Sequence, residues 1–302
     1  FTLKKKIVIP SERSDLKKTD WEIDFYSRPI IDENGKKRWE LLITSTNNFK
    51  DKKTFKWEKI CPASSVNSIW LKDAFDEAID EAYLQGWDKP SVIRCWRSSM
   101  KTMIKRAADQ IGIELISSRR TYSLLEWLIE RERSFYPQQK GYTGVNLAPP
   151  SNPITNQAIP LPEEVRGESW SFASLSLNTL READEWEIEF SNLIPIKDSI
   201  NENISIPGIR LFSPKRSLAL AAWLGGLEPA KLLIEGTQII LEAGQADRWL
   251  VTDVEEEAKK VIENNFLNTK LYADGLQFIS VQKSPEENSL DGFWMLKDIE
   301  EY

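Results

Sequence analysis

Seven basic residues fall between positions 94 and 120: Arg94, Arg97, Lys101, Lys105, Arg106, Arg119 and Arg120. Only Asp109 and Glu114 oppose them. A local run of cations can neutralise phosphates. Aromatic rings placed among them, here Trp96 between Arg94 and Arg97 and Tyr122 after Arg119-Arg120, can stack on bases. The chemistry these residues could perform is therefore polyanion binding with base stacking. The surroundings sharpen this reading, because the chain as a whole has a formal net charge of -7 at pH 7. Residues 1–150 carry 27 Lys+Arg against 21 Asp+Glu, a net of +6, whereas residues 151–302 carry 13 against 26, a net of -13. A basic stripe inside an acidic chain is the expected footprint of a polyanion site.

Histidine is absent. Histidine-dependent triads, Cys-His nucleophiles and His-ligated metals are thereby excluded. The sequence has no Walker A loop, no G-x-G-x-x-G and no G-x-S-x-G elbow, and its two cysteines, Cys61 and Cys95, do not make a zinc site. Binding is favoured over catalysis, and no cofactor or metal is expected. No apolar run approaches the roughly 18 residues of a membrane helix, and Phe1 to Pro10 lacks a signal-peptide pattern.

The elements that must position the stripe are legible in outline. Trp21, Ile23 and Phe25 alternate with Glu22 and Asp24, as in a half-buried strand. Asn34-Gly35 marks a hairpin turn, and Trp39, Leu41 and Ile43 alternate on the return. A third strand is expected over 55–60. A helix follows with Ile69, Phe75, Ala78, Ile79 and Ala82 inward, stopped at Gly86. A strand over 91–96 leads to a helix capped by Ser98 or Ser99 and ended by Gly112. On that helix Met100, Met103, Ile104, Ala107 and Ile111 form an apolar stripe, with Arg97, Lys101 and Lys105 in a row beside it. A strand over 113–116 and a helix over 122–135 complete the first half.

The proline-rich stretch 137–168 lacks periodicity and reads as a linker. Its flanks define an N-terminal domain over 1–136 and a C-terminal domain over 169–302. The second half alternates again. Strands are expected over 170–175, 206–212, 230–235, 238–243, 249–252, 276–281 and 293–296. Helices are expected near Leu180, over 218–224 up to Gly225-Gly226, and over 254–266. The fold class is α/β or α+β, as two domains with mixed sheets. Most of the twelve tryptophans, such as Trp21, Trp39, Trp127 and Trp223, occupy apolar positions and are expected in cores.

A strand hairpin followed by helix, strand and helix also fits a degenerate PD-(D/E)xK nuclease core. That chemistry needs an acidic-x-Lys triplet on a buried strand to hold Mg²⁺. The triplets Asp15-Lys17 and Asp51-Lys53 fall in polar loops and Glu257-Lys259 on a helix, while Glu40, on the hairpin, has no lysine two residues on. A metal-dependent nuclease is thus a subordinate alternative.

Strings along nearly the whole chain, in one order, carry a resemblance: TDWEIDFYSRPIID, KKRWELLI, VIRCWRSSM with its basic helix, RRTYSLLEWL, ESWSFASL, IPGIRLFS, LAAWLGGLE and GFWMLKD. From about Asp20 to Asp298 the sequence resembles the Tab family of photosystem translation activators of cyanobacteria and plastids. The resemblance implies non-enzymatic binding of A/U-rich RNA in a 5′ leader and a role in photosystem biogenesis; single-stranded RNA and translation or photosystem assembly proteins are the expected partners. A protein-only assembly factor is the rival. The family's C-terminal Trp-Leu-Leu reads Trp294-Met295-Leu296 here, and its alternation on a strand favours core packing. Plastid members carry transit peptides; without one in view, a cyanobacterial cytoplasm is expected.

Overall fold

A computed structural model describes residues 16–46, 53–144, 156–181, 194, 196 and 200–299. In the first half, β1 (Trp21–Ile31) and β2 (Lys37–Ser45) form a hairpin around Gly35, whose φ of 74° favours glycine. β3 (Lys56–Cys61) extends the meander. Helix α1 (Ser68–Leu84) begins at Asn67, whose side chain accepts from the N–H groups of Ile69 and Trp70. It leads to β4 (Val92–Cys95), and α2 (Lys101–Gln110) leads to β5 (Glu114–Ser117). These strands form a mixed five-stranded sheet in the order β3-β2-β1-β4-β5. β4 runs parallel to β1, placing Arg94 beside Glu22.

Alternation along β1 and β2 divides the side chains between two covered faces. Trp21, Ile23, Phe25, Leu41 and Ile43 pack under α1 and α2. The opposite face is covered by α3 (Tyr122–Glu130) and the wider, π-helical turn Arg131–Phe135 that continues it. Ile30 and Leu42 there meet Leu124, Leu128 and Tyr136. The expected half-buried strand is therefore buried on both faces, and Glu22 and Asp24 are as inaccessible as their apolar neighbours. Ile69, expected inward on α1, is 70% exposed because it lies in the first turn, before the packed stripe begins at Leu71.

The stretch expected to be a linker is in part structured. Tyr142 bridges to Ile30 in the first half. β6 (Ile159–Pro160) later pairs with β11 (Asp247–Asp253), and Leu161 enters the second half's core. Apolar anchors at both ends outweigh the proline-rich composition. After β6 come β7 (Ser169–Ser176), α4 (Leu177–Arg181), β8 (Ser205–Phe212), α5 (Ser217–Leu227), β9 (Pro229–Glu235) and β10 (Gln238–Ala243). β11 follows, then α6 (Glu256–Ile262), α7 (Asn268–Tyr272), β12 (Leu276–Gln282) and β13 (Gly292–Lys297). Two mixed sheets result, ordered β6-β11-β10-β9 and β13-β12-β8-β7. They share a core in which Ile209 of β8 and Ile279 of β12 cluster with Leu241 of β10 and with Leu220 and Leu224 of α5. Helix α5 does not stop at Gly225-Gly226. It runs on to Leu227, after which Glu228 turns left-handed with φ 56°.

Candidate nucleic-acid interface

The basic stripe divides into two groups with different fates. Lys101, Lys105 and Arg106 project from α2 into solvent. Arg97 does not join them, because α2 starts only at Lys101, after a tight turn over Ser98–Met100, and neither Ser98 nor Ser99 supplies a side-chain cap. Lys105 donates to Asp109 one turn on, at 2.9 Å. The pair is more than half exposed, so water screens it and its contribution is small. Helix α1 packs beside α2. Its Asp73, Glu77 and Asp80 are exposed, and Glu77 accepts from Lys59 of β3 at 2.6 Å.

Arg97 is buried instead at the end of β4. Its Nε donates to Asp24 Oδ1 at 2.6 Å, and its guanidinium lies between the rings of Tyr26 at 3.8 Å and Trp96 at 4.2 Å. Burial opposes the charge of Asp24, but Arg28 and Arg97 outweigh it and hold that carboxyl below its ordinary range. Trp96 is half-buried against the α3-face cluster of Ile30, Leu42, Leu124, Leu128 and Tyr136, with Arg97 over its ring, and its backbone oxygen accepts from Gln245 Nε2 at 2.7 Å. Tyr26 and Asp24 complete this sandwich and were not identifiable from the sequence, since Asp24 is 73 positions from Arg97.

The remaining cations form the seam between the two halves. Arg94 meets Asp20 at 2.6 Å and takes Glu228 with two nitrogens, at 2.9 and 3.2 Å. Burial would weaken both charges, yet Arg94 keeps the Glu228 carboxyl below its usual range. Arg119 donates its backbone N–H to Gly244 O at 2.8 Å. Arg120 is 2% exposed and donates to Pro229 O, and Tyr122 Oη donates to Ala230 O at 2.6 Å. Tyr122, 3% exposed, packs among Leu177, Leu180, Ile206 and Met295 of the second half.

The expectation that Tyr122 stacks a base is therefore corrected: no ring face is open. Arg94, Arg97 and Arg120 are likewise buried, each with a carboxylate or backbone carbonyl on its guanidinium group, and do not form the exposed stripe expected of them. Glu228 was missed because its partner lies 134 positions away.

The carboxylates of the first sheet bear on the nuclease alternative. Glu40 accepts from Tyr136 Oη at 2.9 Å and pairs with Arg131 at 3.2 Å and Arg28 at 3.3 Å. Arg28 also meets Asp24 at 2.8 Å. Guanidinium groups thus occupy the positions from which these carboxylates would ligate a cation. Among the described residues no group of three or more His, Cys, Asp or Glu could hold a metal; Asp15 and Asp51 of the acidic-x-Lys triplets lie outside them.

Trp294 packs against the second core, its ring over Gly292, where a Cβ would come within 2.5 Å of it. Met295 and Leu296 are buried.

Comparison with known proteins joins these halves to a family. Residues 20–131 match the N-terminal domain of RNA-binding protein Tab2/Atab2, and residues 148–297 match its C-terminal domain. "Protein TAB2 homolog, chloroplastic" of Zea mays is 30% identical over 291 residues, covering 93% of this chain and 72% of that protein. Its Arabidopsis thaliana namesake is 31% identical over 291 residues, covering 93% and 75%. Among solved structures, a simian T-cell lymphotropic virus intasome complexed with PP2A regulatory subunit B56 gamma aligns at TM-score 0.23 and 12% identity. That alignment spans 77% of this chain and 78% of the other, and so weak a likeness carries no argument. Matched by both domains and by relatives along nearly its whole length, the chain belongs to the Tab2/Atab2 family of RNA-binding proteins.

Proposed function

We propose that this protein binds A/U-rich single-stranded RNA without chemical turnover and thereby promotes translation or biogenesis of photosystem subunits. Membership in an RNA-binding family supports the first part, and the family resemblance of its sequence motifs supports the second. The observation that carries the reading is the exposed row of cations Lys101, Lys105 and Arg106 on α2. The cations would neutralise successive phosphates of the RNA backbone. The buried, free thiols of Cys61 and Cys95 suit a reducing compartment such as the cytoplasm of a photosynthetic cell.

The test is a salt titration of affinity for an A/U-rich oligonucleotide, with a G/C-rich one of equal length as control. Changing Lys101, Lys105 and Arg106 to Gln should shallow the slope of log affinity against log salt by about 2, because each single-strand phosphate contact contributes ~0.7. An unchanged slope in the folded variant removes α2 from the interface. Equal affinity for the two oligonucleotides removes the A/U preference.

A further inference from the structure

A pocket of about 470 Å³ opens on the seam between the halves, within the ~300–1,000 Å³ usual for ligand sites, which favour domain interfaces. One wall comes from α3 and its π-helical extension, through Glu126, Ile129 and Arg133. The other comes from α7 and the end of β13, through Lys270, Leu271 and Asp298.

Its floor is charged but internally matched. Lys297, 2% exposed at its side chain, donates to Glu126 of the first half at 2.8 Å and to Asp274 at 3.0 Å. Lys270 meets Asp298 at 2.6 Å, and Lys231 approaches the same carboxylate at 3.3 Å. Burial would raise Asp298, but Lys270 and Lys231 overcome it and hold that carboxyl below its ordinary range. Four carboxylates against three cations in the lining make a poor seat for phosphate. What the lining offers is donors and acceptors side by side. Lys270 places one of its three donors on Asp298, with the apolar side chains of Ile129, Leu271 and Ile299 around them. A nucleobase has this pattern in reverse: two flat apolar faces and an edge of alternating donors and acceptors.

Local backbone features concentrate here as well. Asp274 is left-handed with φ 56°, a conformation costly for a non-glycine residue. Gly275 follows at φ 77°, where a Cβ would fall 1.8 Å from Asp298 O, so the turn is pressed against the end of β13. π-helical turns, which recur at functional sites, occur at Arg131–Phe135, contributing Arg133 and Ser134 to the lining, and at Glu263–Leu267, just before α7. Between lining residues Leu271 and Asp274 stands Tyr272, 77% exposed with its ring in water.

We propose that this seam pocket receives one unstacked base of single-stranded RNA, with Tyr272 stacking on a neighbouring base. The proposal rests on the RNA-binding reading above but assigns a surface separate from α2. Both halves build the pocket, so bound RNA would bridge them.

The test uses the full chain and a fluorescent A/U-rich oligonucleotide, with 4-thiouridine crosslinking and peptide mapping. Tyr272→Ala and, separately, Leu271→Trp, which fills the mouth from a position 52% exposed, should each weaken binding roughly tenfold, as loss of a stacked base does. The salt slope should be preserved, because no phosphate contact is lost. Crosslinks should map to residues 270–275. Wild-type affinity in both variants, with crosslinks confined to α2, would overturn the pocket while leaving RNA binding intact. Failure of the wild-type chain to bind any RNA would overturn the reading beneath it. Tyr272→Ala is a surface change, so it keeps the test decisive even if Leu271→Trp perturbs folding.

Discussion

Arg94 and Glu228, 134 positions apart, meet in a two-pronged ion pair with N–O distances of 2.9 and 3.2 Å. The arginine lies on β4 of the first half. The glutamate ends helix α5 of the second, in a left-handed conformation that a glycine would adopt more easily. Local strain is thus tolerated where the carboxylate is needed. Arg120, Tyr122 and the Arg119 N–H add hydrogen bonds to the same seam. Residues that a sequence reading assigns to RNA instead join the halves of the protein.

This pair should behave as a buried charge pair. Arg94→Met would leave Glu228 and Asp20 without their cation and should cost ~3–5 kcal/mol. Adding Glu228→Gln to Arg94→Met should recover part of that loss, since no unpaired charge then remains at position 228. Urea unfolding of the four proteins of the cycle measures the coupling. Strict additivity would show that the pair does not interact.

Glu22 gives a pH dependence of defined sign. Its carboxyl is fully buried, and burial pushes its pKa from 4.5 up to about 8, against the lowering effects of the Leu124 N–H and Arg94. The folded state therefore keeps this proton across a range where the unfolded chain has lost it. Stability should fall as pH rises from about 4.5 to about 8, by up to ~1.4 kcal/mol per pH unit from this residue. Glu22→Gln keeps an oxygen to accept the Leu124 N–H, 2.8 Å away in the native protein, and has no proton to lose. The variant should gain on the wild type steadily across that window. Parallel stability curves from pH 5 to pH 8 would contradict the assignment.

What the sequence disclosed follows from which interactions are local. Period-two alternation located β1 and β2, and Asn34-Gly35 located their turn, because both depend on neighbouring residues. The helical stripe of α2 was legible for the same reason. The far face of β1 was not: alternation shows that Glu22 and Asp24 share a face, but not that α3 covers it. Likewise a cluster of arginines shows local charge, whereas Asp20, Asp24 and Glu228, which neutralise it, come from distant positions. Lys101, Lys105 and Arg106 remained in solvent, since apolar residues on the other side of α2 satisfy its packing. Tyr272 and the seam pocket left no pattern in sequence, as the walls come from segments well over a hundred residues apart.

Gly208 tests the packing of the second half. A Cβ there would lie 2.4 Å from the ring of Phe278 on the neighbouring strand β12 and 2.5 Å from its backbone oxygen. Neither obstacle is a flexible side-chain end, so Gly208→Ala should overpack the sheet at a cost of ~1–3 kcal/mol, or more if the strands separate. A lowered Tm for Gly208→Ala, with Gly226→Ala as the control where no atom lies within 4 Å, checks this. Equal Tm values for the two variants would refute it.

Glu40 separates a structural from a catalytic role for the carboxylates of the first sheet. Arg131 Nε donates to Tyr136 Oη at 3.1 Å, and that hydroxyl donates to Glu40 at 2.9 Å, while Arg28 and Arg131 supply the charge. Glu40→Gln would retain an oxygen for the tyrosine but leave two buried guanidinium groups short of negative charge. A stability loss of ~2–4 kcal/mol is expected, in keeping with the removal of one partner from a buried ionic network. Labelled RNA incubated with the wild type and Mg²⁺ or Mn²⁺ should stay intact, and the variant should be no different. Cleavage by the wild type that vanishes in a stably folded Glu40→Gln protein would reverse the conclusion, because a purely structural carboxylate cannot produce that pattern.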